Sequence, residues 1–294
     1  MSARLRGQAR QTEQIVAAGG YAAPGGHRVS IADEVAAARA GTRMYGPEPV
    51  AVPERAPGGR IVEVTGESSL EAARRLTDTG DTGVMTDTGD TRGTREGPVA
   101  VLDFASARNP GGGYLNGAQA QEEALCRASA LYTCLLEAPE FYEHHRAHRD
   151  PFYSDRVIHA PAVPVFRDDR GQLLDRPYRV GFLTSPAPNA GVIARNAPER
   201  TPDVPHALAA RAERVLETAA ACGYRRLVLG AWGCGVFQND PAQVAEAFRG
   251  HLAEGRRFEG HFAHIVFGVL DRSRAAPTRA AFERVFADLV GQGA

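Results

Sequence analysis

Residues 103–137 read DFASARNPGGGYLNGAQAQEEALCRASALYTCLLE, and this stretch decides the fold. Upstream of it, Val99-Ala100-Val101-Leu102 is a short, branched apolar run bounded by turn residues, which reads as a buried strand. Asn109-Pro110 and three consecutive glycines, Gly111, Gly112 and Gly113, follow. They permit backbone conformations that other residues reach only with strain, so a ligand can approach the main chain closely. After Asn116-Gly117 the period changes, and Leu125, Ala128, Leu131 or Tyr132, and Leu135 share one face of a helix opening near Gln119 to Gln121. A strand, a glycine loop and a helix in that order aim free N–H groups and the positive end of the helix dipole at whatever fills the loop. A phosphate suits that place.

Glu122 and Glu123 fall in the first turn of this helix, directly after Gln121. Acids there commonly only complement the dipole. Beside a loop suited to anions they would also set an acid/base group against a bound phosphate ester. A second glycine loop, GAWGCGVFQND at 230–240, follows the apolar run LVLGAW, with Asp240 placed to cap the next helix and Pro241 at its first position. It is either a tight packing turn or the other wall of a cleft at the edge of an α/β sheet.

The three glycines, a short spacer and Gln121-Glu122-Glu123 resemble the signature of the bacterial-type poly(ADP-ribose) glycohydrolases, whose fold is a macrodomain, and residues 230–240 are similar to that family's other substrate loop. The resemblance extends over most of the chain. It implies an α/β fold, a macrodomain-like three-layer sandwich with a mixed sheet and an N-terminal helical extension. Residues 1–95 would then be the extension and accessory elements packed on a core at 96–294, together one compact unit. It also implies hydrolysis of the ribose–ribose O-glycosidic bonds of poly(ADP-ribose), from chain ends, with water as second substrate and ADP-ribose as product.

By match to the motif, Glu123 is the catalytic acid/base and Glu122 orients the ribose, with Gln121 in support. The same resemblance gives the backbone of Gly111, Gly112 and Gly113, and of Gly233, Cys234, Gly235, Val236 and Phe237, to the diphosphate and distal ribose, and Asn109 to the terminal ribose. The Phe237 ring either packs on the ligand or fills the core. Asp103 either caps the loop or touches ligand. Consecutive helical residues diverge by roughly 100°, so Glu122 and Glu123 cannot flank a sugar from opposite faces, and their roles must be unequal. A general acid at a helix N-terminus must also be reprotonated against the dipole, which burial beside a diphosphate would favour.

Two other readings share the fold: a macrodomain that binds ADP-ribose without cleaving it, and a hydrolase of single ADP-ribose groups on proteins. The glutamate pair discriminates, because a binding module has no use for an acid at Glu123. The expected partners are poly(ADP-ribose), ADP-ribose and ADP-ribosylated proteins, with no cofactor, no metal and no membrane.

Composition is consistent with this. The 294 residues are 43% hydrophobic, enough for a sizeable core, and the formal charge of −1 gives no global basic excess for direct nucleic-acid binding. Cys126, Cys134, Cys222 and Cys234 have neither metal spacing nor the pattern of a disulfide framework, and no stretch has the apolar length of a signal peptide or membrane span. A reducing cytoplasmic setting is expected.

Elsewhere the spacing predicts helices over 3–18, 32–41, 68–76, 203–222, 241–255 and 276–290. Strands are predicted at 29–31, 61–64, 157–160, 163–166, 179–185 and 264–270. TDTGDT occurs twice between Thr77 and Arg95; it lacks the closing Glu of a calcium loop and reads as a solvated duplication. In HHRAH at 144–148, two histidines one turn apart could share a metal, but the Glu of a zinc-protease helix is missing and a solvated surface is the simpler reading. His159 reads as a core-edge histidine with a hydrogen-bond partner.

Overall fold

A computed structural model describes residues 2–54, 58–78 and 97–290. Helix α1 (Ala3–Ala18) is capped by Ser2, whose side chain accepts from the Leu5 N–H, and ends at Gly19 with φ 65°. It buries Leu5, Ala9, Thr12 and Ile15, the face expected from their spacing. A hairpin of β1 (Gly20–Ala22) and β2 (Arg28–Ser30), α2 (Ala32–Gly41), β3 (Arg43–Tyr45), β4 (Ile61–Thr65) and α3 (Ser69–Asp78) complete the N-terminal part. Ser68 and Glu71 cap α3 reciprocally: the Ser68 N–H donates to Glu71 and the Glu71 N–H to Ser68 Oγ. The duplicated TDTGDT tract lies outside the described residues from position 79 onward.

The deciding stretch folds as β5 (Val99–Phe104), the glycine loop, α4 (Gln121–Ala128) and α5 (Leu131–Leu135). One helix was expected where two are found. Ser129 is extended (φ −142°, ψ 179°) and bridges Val165, while its Oγ donates to the Leu125 carbonyl and accepts from the Leu131 N–H. The hydroxyl thus serves the end of one helix and the start of the next.

Helix α6 (Pro139–Ala147) leads into β6 (Val157–Arg167) and β7 (Leu173–Ser185), followed by α7 (Ala190–Asn196), α8 (Val204–Ala221), β8 (Arg226–Gly230), α9 (Pro241–Leu252), β9 (His264–Gly268) and α10 (Pro277–Val285). The two extended segments expected at 157–160 and 163–166 are one strand. Its register against β7 shifts between Ala160 and Val163, where Ala162 has φ 47° between two prolines that cannot donate to the ladder. Asp240 caps α9 as expected, accepting from the N–H groups of Ala242 and Gln243.

Seven strands form one mixed sheet in the order β3-β6-β7-β5-β8-β9-β4. Strands β7, β5, β8, β9 and β4 are parallel; β6 is antiparallel to both its neighbours. Residues before 96 supply both edge strands, so the accessory elements and the core share one sheet. Side chains alternate between two cores. Val99, Val101, Val228 and Val266 pack with α1 to α6, whereas Ala100, Leu102, Leu227, Leu229, Ile265 and Phe267 pack with α7 to α10. The result is three layers. Because five strands are parallel, the ends of β5, β7, β8 and β9 open on one edge, where ligands of such sheets bind.

Candidate active site

Strand β5 leaves the sheet at Phe104, and Gln121 ties the returning helix to it. The Phe104 N–H donates to Gln121 Oε1 (2.9 Å), and Gln121 Nε2 donates to the Leu102 carbonyl (2.8 Å) and to Ser69 Oγ (3.1 Å). Every polar atom of that amide is engaged, so Gln121 acts on the frame that carries the two glutamates.

Glu123 is buried, and both its oxygens accept from main chain: Oε1 from the Gly113 N–H (2.8 Å) and Oε2 from the Ala120 N–H (3.0 Å). The anion at this helix N-terminus is therefore the protein's own carboxylate. The Gly112 N–H is also spent internally, on the Asn109 carbonyl (2.9 Å). The amides of Gly112 and Gly113, expected to face a diphosphate, hold the loop and Glu123 in place.

Gly112 has φ 57°, and a Cβ there would lie 2.6 Å from Glu123 Oε1 and 3.0 Å from Glu122 Oε2. The missing side chain bares both carboxyl groups to the cleft. Gly112→Ala is expected to lower the melting temperature, through strain of about 1–2 kcal/mol at positive φ, and to weaken ADP-ribose binding roughly tenfold by displacing the carboxyls. Calorimetry on both proteins checks this; unchanged affinity would mean that nothing approaches the cleft at this glycine.

Glu122 faces the same glycine but is held by a different segment. Its Oε2 accepts from the Ser106 N–H (2.7 Å), and its Oε1 is buried with no partner. Asp103, fully buried at the end of β5, accepts from Thr184 Oγ1 (2.9 Å) on one oxygen and has no partner on the other. Burial pushes the Asp103 carboxyl up to about 7, with a further push from the Glu123 charge. Burial, then Asp103, raise Glu122 well above the ordinary carboxylate range. The two hold a proton near neutrality, as closely placed buried carboxyls must.

The opposite wall is the loop after β8. Trp232, the single tryptophan, is fully buried and donates from its indole N–H to the Ser185 carbonyl (2.9 Å). Asn239 Nδ2 donates to the carbonyls of Pro188 (2.8 Å) and Gly233 (3.2 Å). Between these anchors the N–H groups of Gly235, Val236 and Phe237 have no partner within the chain among the described residues. Val236 is 82% exposed. The Phe237 ring is half-buried and packs on Tyr153, with centroids 5.8 Å apart. Tyr153 itself has φ 59°, an uncommon conformation for a bulky residue.

The cleft between the loops has a volume of about 1160 Å³, room for a ligand of dinucleotide size. Asn109, Gly112, Gly113, Gln121, Glu122, Glu123 and Gly233 through Phe237 all line it. Gly111 lies behind, where a Cβ would meet Tyr132 at 3.0 Å and Cys126 at 3.2 Å. The cleft runs on to Gly268 through Arg272 after β9, and to Arg4, Leu5 and Gln8 of α1.

Residues 9–168, more than half of the chain, match the family model described as microbial-type PARG, catalytic domain. The chain belongs to the microbial-type poly(ADP-ribose) glycohydrolase family. Among solved structures, it is 49% identical to the poly(ADP-ribose) glycohydrolase from Thermomonospora curvata, over 97% of this chain and 100% of that one, with a TM-score of 0.87. The same protein bound to the inhibitor ADP-HPD matches over 96% and 99%, again at 49% identity, with a TM-score of 0.83. The Deinococcus radiodurans glycohydrolase in complex with ADP-ribose is 43% identical over 87% of this chain and 97% of that one, with a TM-score of 0.75. No curated protein matches. The layering expected of a macrodomain-like glycohydrolase is the layering observed.

Sequence reasoning missed Tyr153 and Asn239, and left Asp103 open. No helix among the described residues is long and apolar enough to cross a membrane.

Proposed function

We propose that the protein hydrolyses the ribose–ribose O-glycosidic bonds of poly(ADP-ribose), releasing ADP-ribose from chain ends. The observation that carries this reading is the Glu123 carboxylate, fixed through both oxygens beside a glycine that bares it to the cleft. The diphosphate lies along the unpartnered amides of Gly235, Val236 and Phe237, and the Phe237 ring, backed by Tyr153, fixes its pose. That places the distal ribose over Gly112, between Asn109 and the two glutamates.

Glu123, having taken up a proton from solvent as substrate binds, gives it to the departing ribose oxygen as the glycosidic bond breaks, then takes one from the water that adds to the sugar carbon. Glu122, held toward its neutral form, orients the ribose hydroxyls. Helix α1 closes the far end of the cleft through Arg4 and Gln8, which favours chain-end attack. ADP-ribosylated proteins are the physiological carriers, and the free thiols suit a cytoplasmic location.

Incubating the purified protein with poly(ADP-ribose) is expected to yield free ADP-ribose from the earliest times while chains shorten gradually. Tight ADP-ribose binding with intact polymer would make it a reader. Release only from singly modified protein would make it a mono-ADP-ribosyl hydrolase.

A further inference from the structure

Apart from Tyr153, which backs Phe237, helix α6 and the segment after it, HHRAHRDPFYSDR at 144–156, take no part in the site described, yet they touch it at two places. Arg146 Nη1 donates to the Arg108 carbonyl (2.9 Å), and Arg108 precedes Asn109 at the mouth of the cleft. Beyond, the ring of His145 meets Tyr153 edge-on at 5.9 Å, and Tyr153 backs Phe237. The Pro151 carbonyl accepts from the Asn189 N–H, and the Phe237 carbonyl from the Gly191 N–H, so this segment and the second loop meet at the start of α7. The strip therefore links Arg108, next to Asn109, with Phe237 on the opposite wall, two residues that flank or line the cleft.

Its charge is positive and unneutralised. Arg146, His148 and Arg149 are exposed; Arg108, His144 and Arg156 are partly so. Among the described residues none of the four arginines has a carboxylate partner. Arg108 Nε is buried without any partner. The nearby acids are otherwise engaged or few: Asp150 pairs with Arg200 (3.1 Å), Asp155 with Arg211 (3.0 Å), and Glu140 and Glu143 are the exposed carboxylates of α6. The rings of His144 and His148 stack at 4.2 Å. Burial, with Arg156 and His148 nearby, holds His144 below its ordinary value. Four arginines without carboxylate partners, three on the strip and the fourth the Arg108 that Arg146 contacts, in a chain whose net charge is −1, make a local field that a polyanion would follow.

We propose that this strip binds the diphosphate of the ADP-ribose unit that departs when the terminal unit is cut off. The inference rests on the glycohydrolase reading, which puts the scissile bond beside Asn109 and Glu123. The leaving group then emerges toward Arg108 and Arg146, carrying two negative charges per unit. Exposed arginines give such a segment a grip that is electrostatic, salt-sensitive and indifferent to the rest of the chain.

The test compares two substrates of the same terminal unit. One is poly(ADP-ribose); the other is an O-glycoside of ADP-ribose with an uncharged phenol, which has no leaving diphosphate. For Arg146→Glu with Arg149→Glu, kcat/KM on polymer should fall by about tenfold. The slope of log(kcat/KM) against log salt should become shallower by roughly 1.4, from two lost contacts. The aryl substrate and ADP-ribose affinity should be unchanged. The paired Arg→Gln variant, which keeps polar side chains, should show a smaller loss of the same pattern. Polymer cleavage within twofold of the unmutated protein would overturn the proposal, as would an equal loss on both substrates in both variants. Polymer left intact by the unmutated protein is a separate result and would remove the parent reading along with this one.

Discussion

Glu123→Gln is expected to lower turnover of poly(ADP-ribose) by about 10³-fold, within the span that a positioned acid/base group supplies, while ADP-ribose still binds within a few-fold of the original affinity. Binding survives because the amides assigned to the diphosphate belong to Gly235 through Phe237, on the other wall, and are untouched by the substitution. Turnover does not, because an amide neither donates an acidic proton nor accepts one from water. The substitution has a structural cost that must be separated from the chemical one. Glu123 accepts from two N–H groups, Gly113 and Ala120, and Gln can accept on only one side, leaving its NH₂ facing a donor. The lost bond is worth about 1 kcal/mol, a fall of a few degrees in melting temperature for a chain of this size. Circular dichroism melts and single-turnover digestion, run together, distinguish the two. Turnover within tenfold of the original would move the acid/base role to Glu122, whose carboxyl faces the same bare glycine.

Most of the frame for this chemistry was legible in residues 99–137. A branched apolar run, a glycine triplet and a change of period from two to 3.6 are local signals, and strand, loop and helix followed from them. The Asp240 cap and Pro241 placed α9 in the same way. What could not be read depends on distant partners. Ser129 breaks the central helix only because the edge of β6 is there to pair with it. Strands of three residues, such as β1 and β3, have too little pattern to detect. The two glycine loops looked alike, yet the first spends the amides of Gly112 and Gly113 inside the chain and the second leaves those of Gly235, Val236 and Phe237 unpartnered. Glycine content reports freedom of the backbone; it does not report where the hydrogen bonds go. Asp103 was ambiguous for a related reason, since its partner Thr184 lies 81 residues away on the neighbouring strand.

That buried aspartate leads to the second large effect. Asp103→Asn is expected to leave stability nearly unchanged at pH 4 and to raise it relative to the original protein at pH 8. The folded protein holds the Asp103 carboxyl at about 7 against an ordinary 3.8, mainly by burial. A carboxyl raised in this way binds more protons folded than unfolded between those values. Its contribution is therefore fully present below about pH 4 and is lost as pH rises to about 7, and it amounts to at most about 4 kcal/mol. Glu122, raised well above its usual range, adds to the same slope. His145 and His159 oppose it: burial lowers both to about 4, so the stability they contribute is present at high pH and lost on acidification from about 6.5 toward 4. The total pH profile mixes these opposed terms. The difference between variant and original cancels the histidines, which are common to both, and leaves Asp103 together with its effect on Glu122. In the variant the amide oxygen can still accept from Thr184 Oγ1, and the NH₂ takes the place of the oxygen that has no partner among the described residues. Thermal melts at pH 4 and pH 8 should thus run together at the lower pH and separate at the higher one. Parallel profiles would show that Asp103 neither holds the proton of the pair nor raises Glu122.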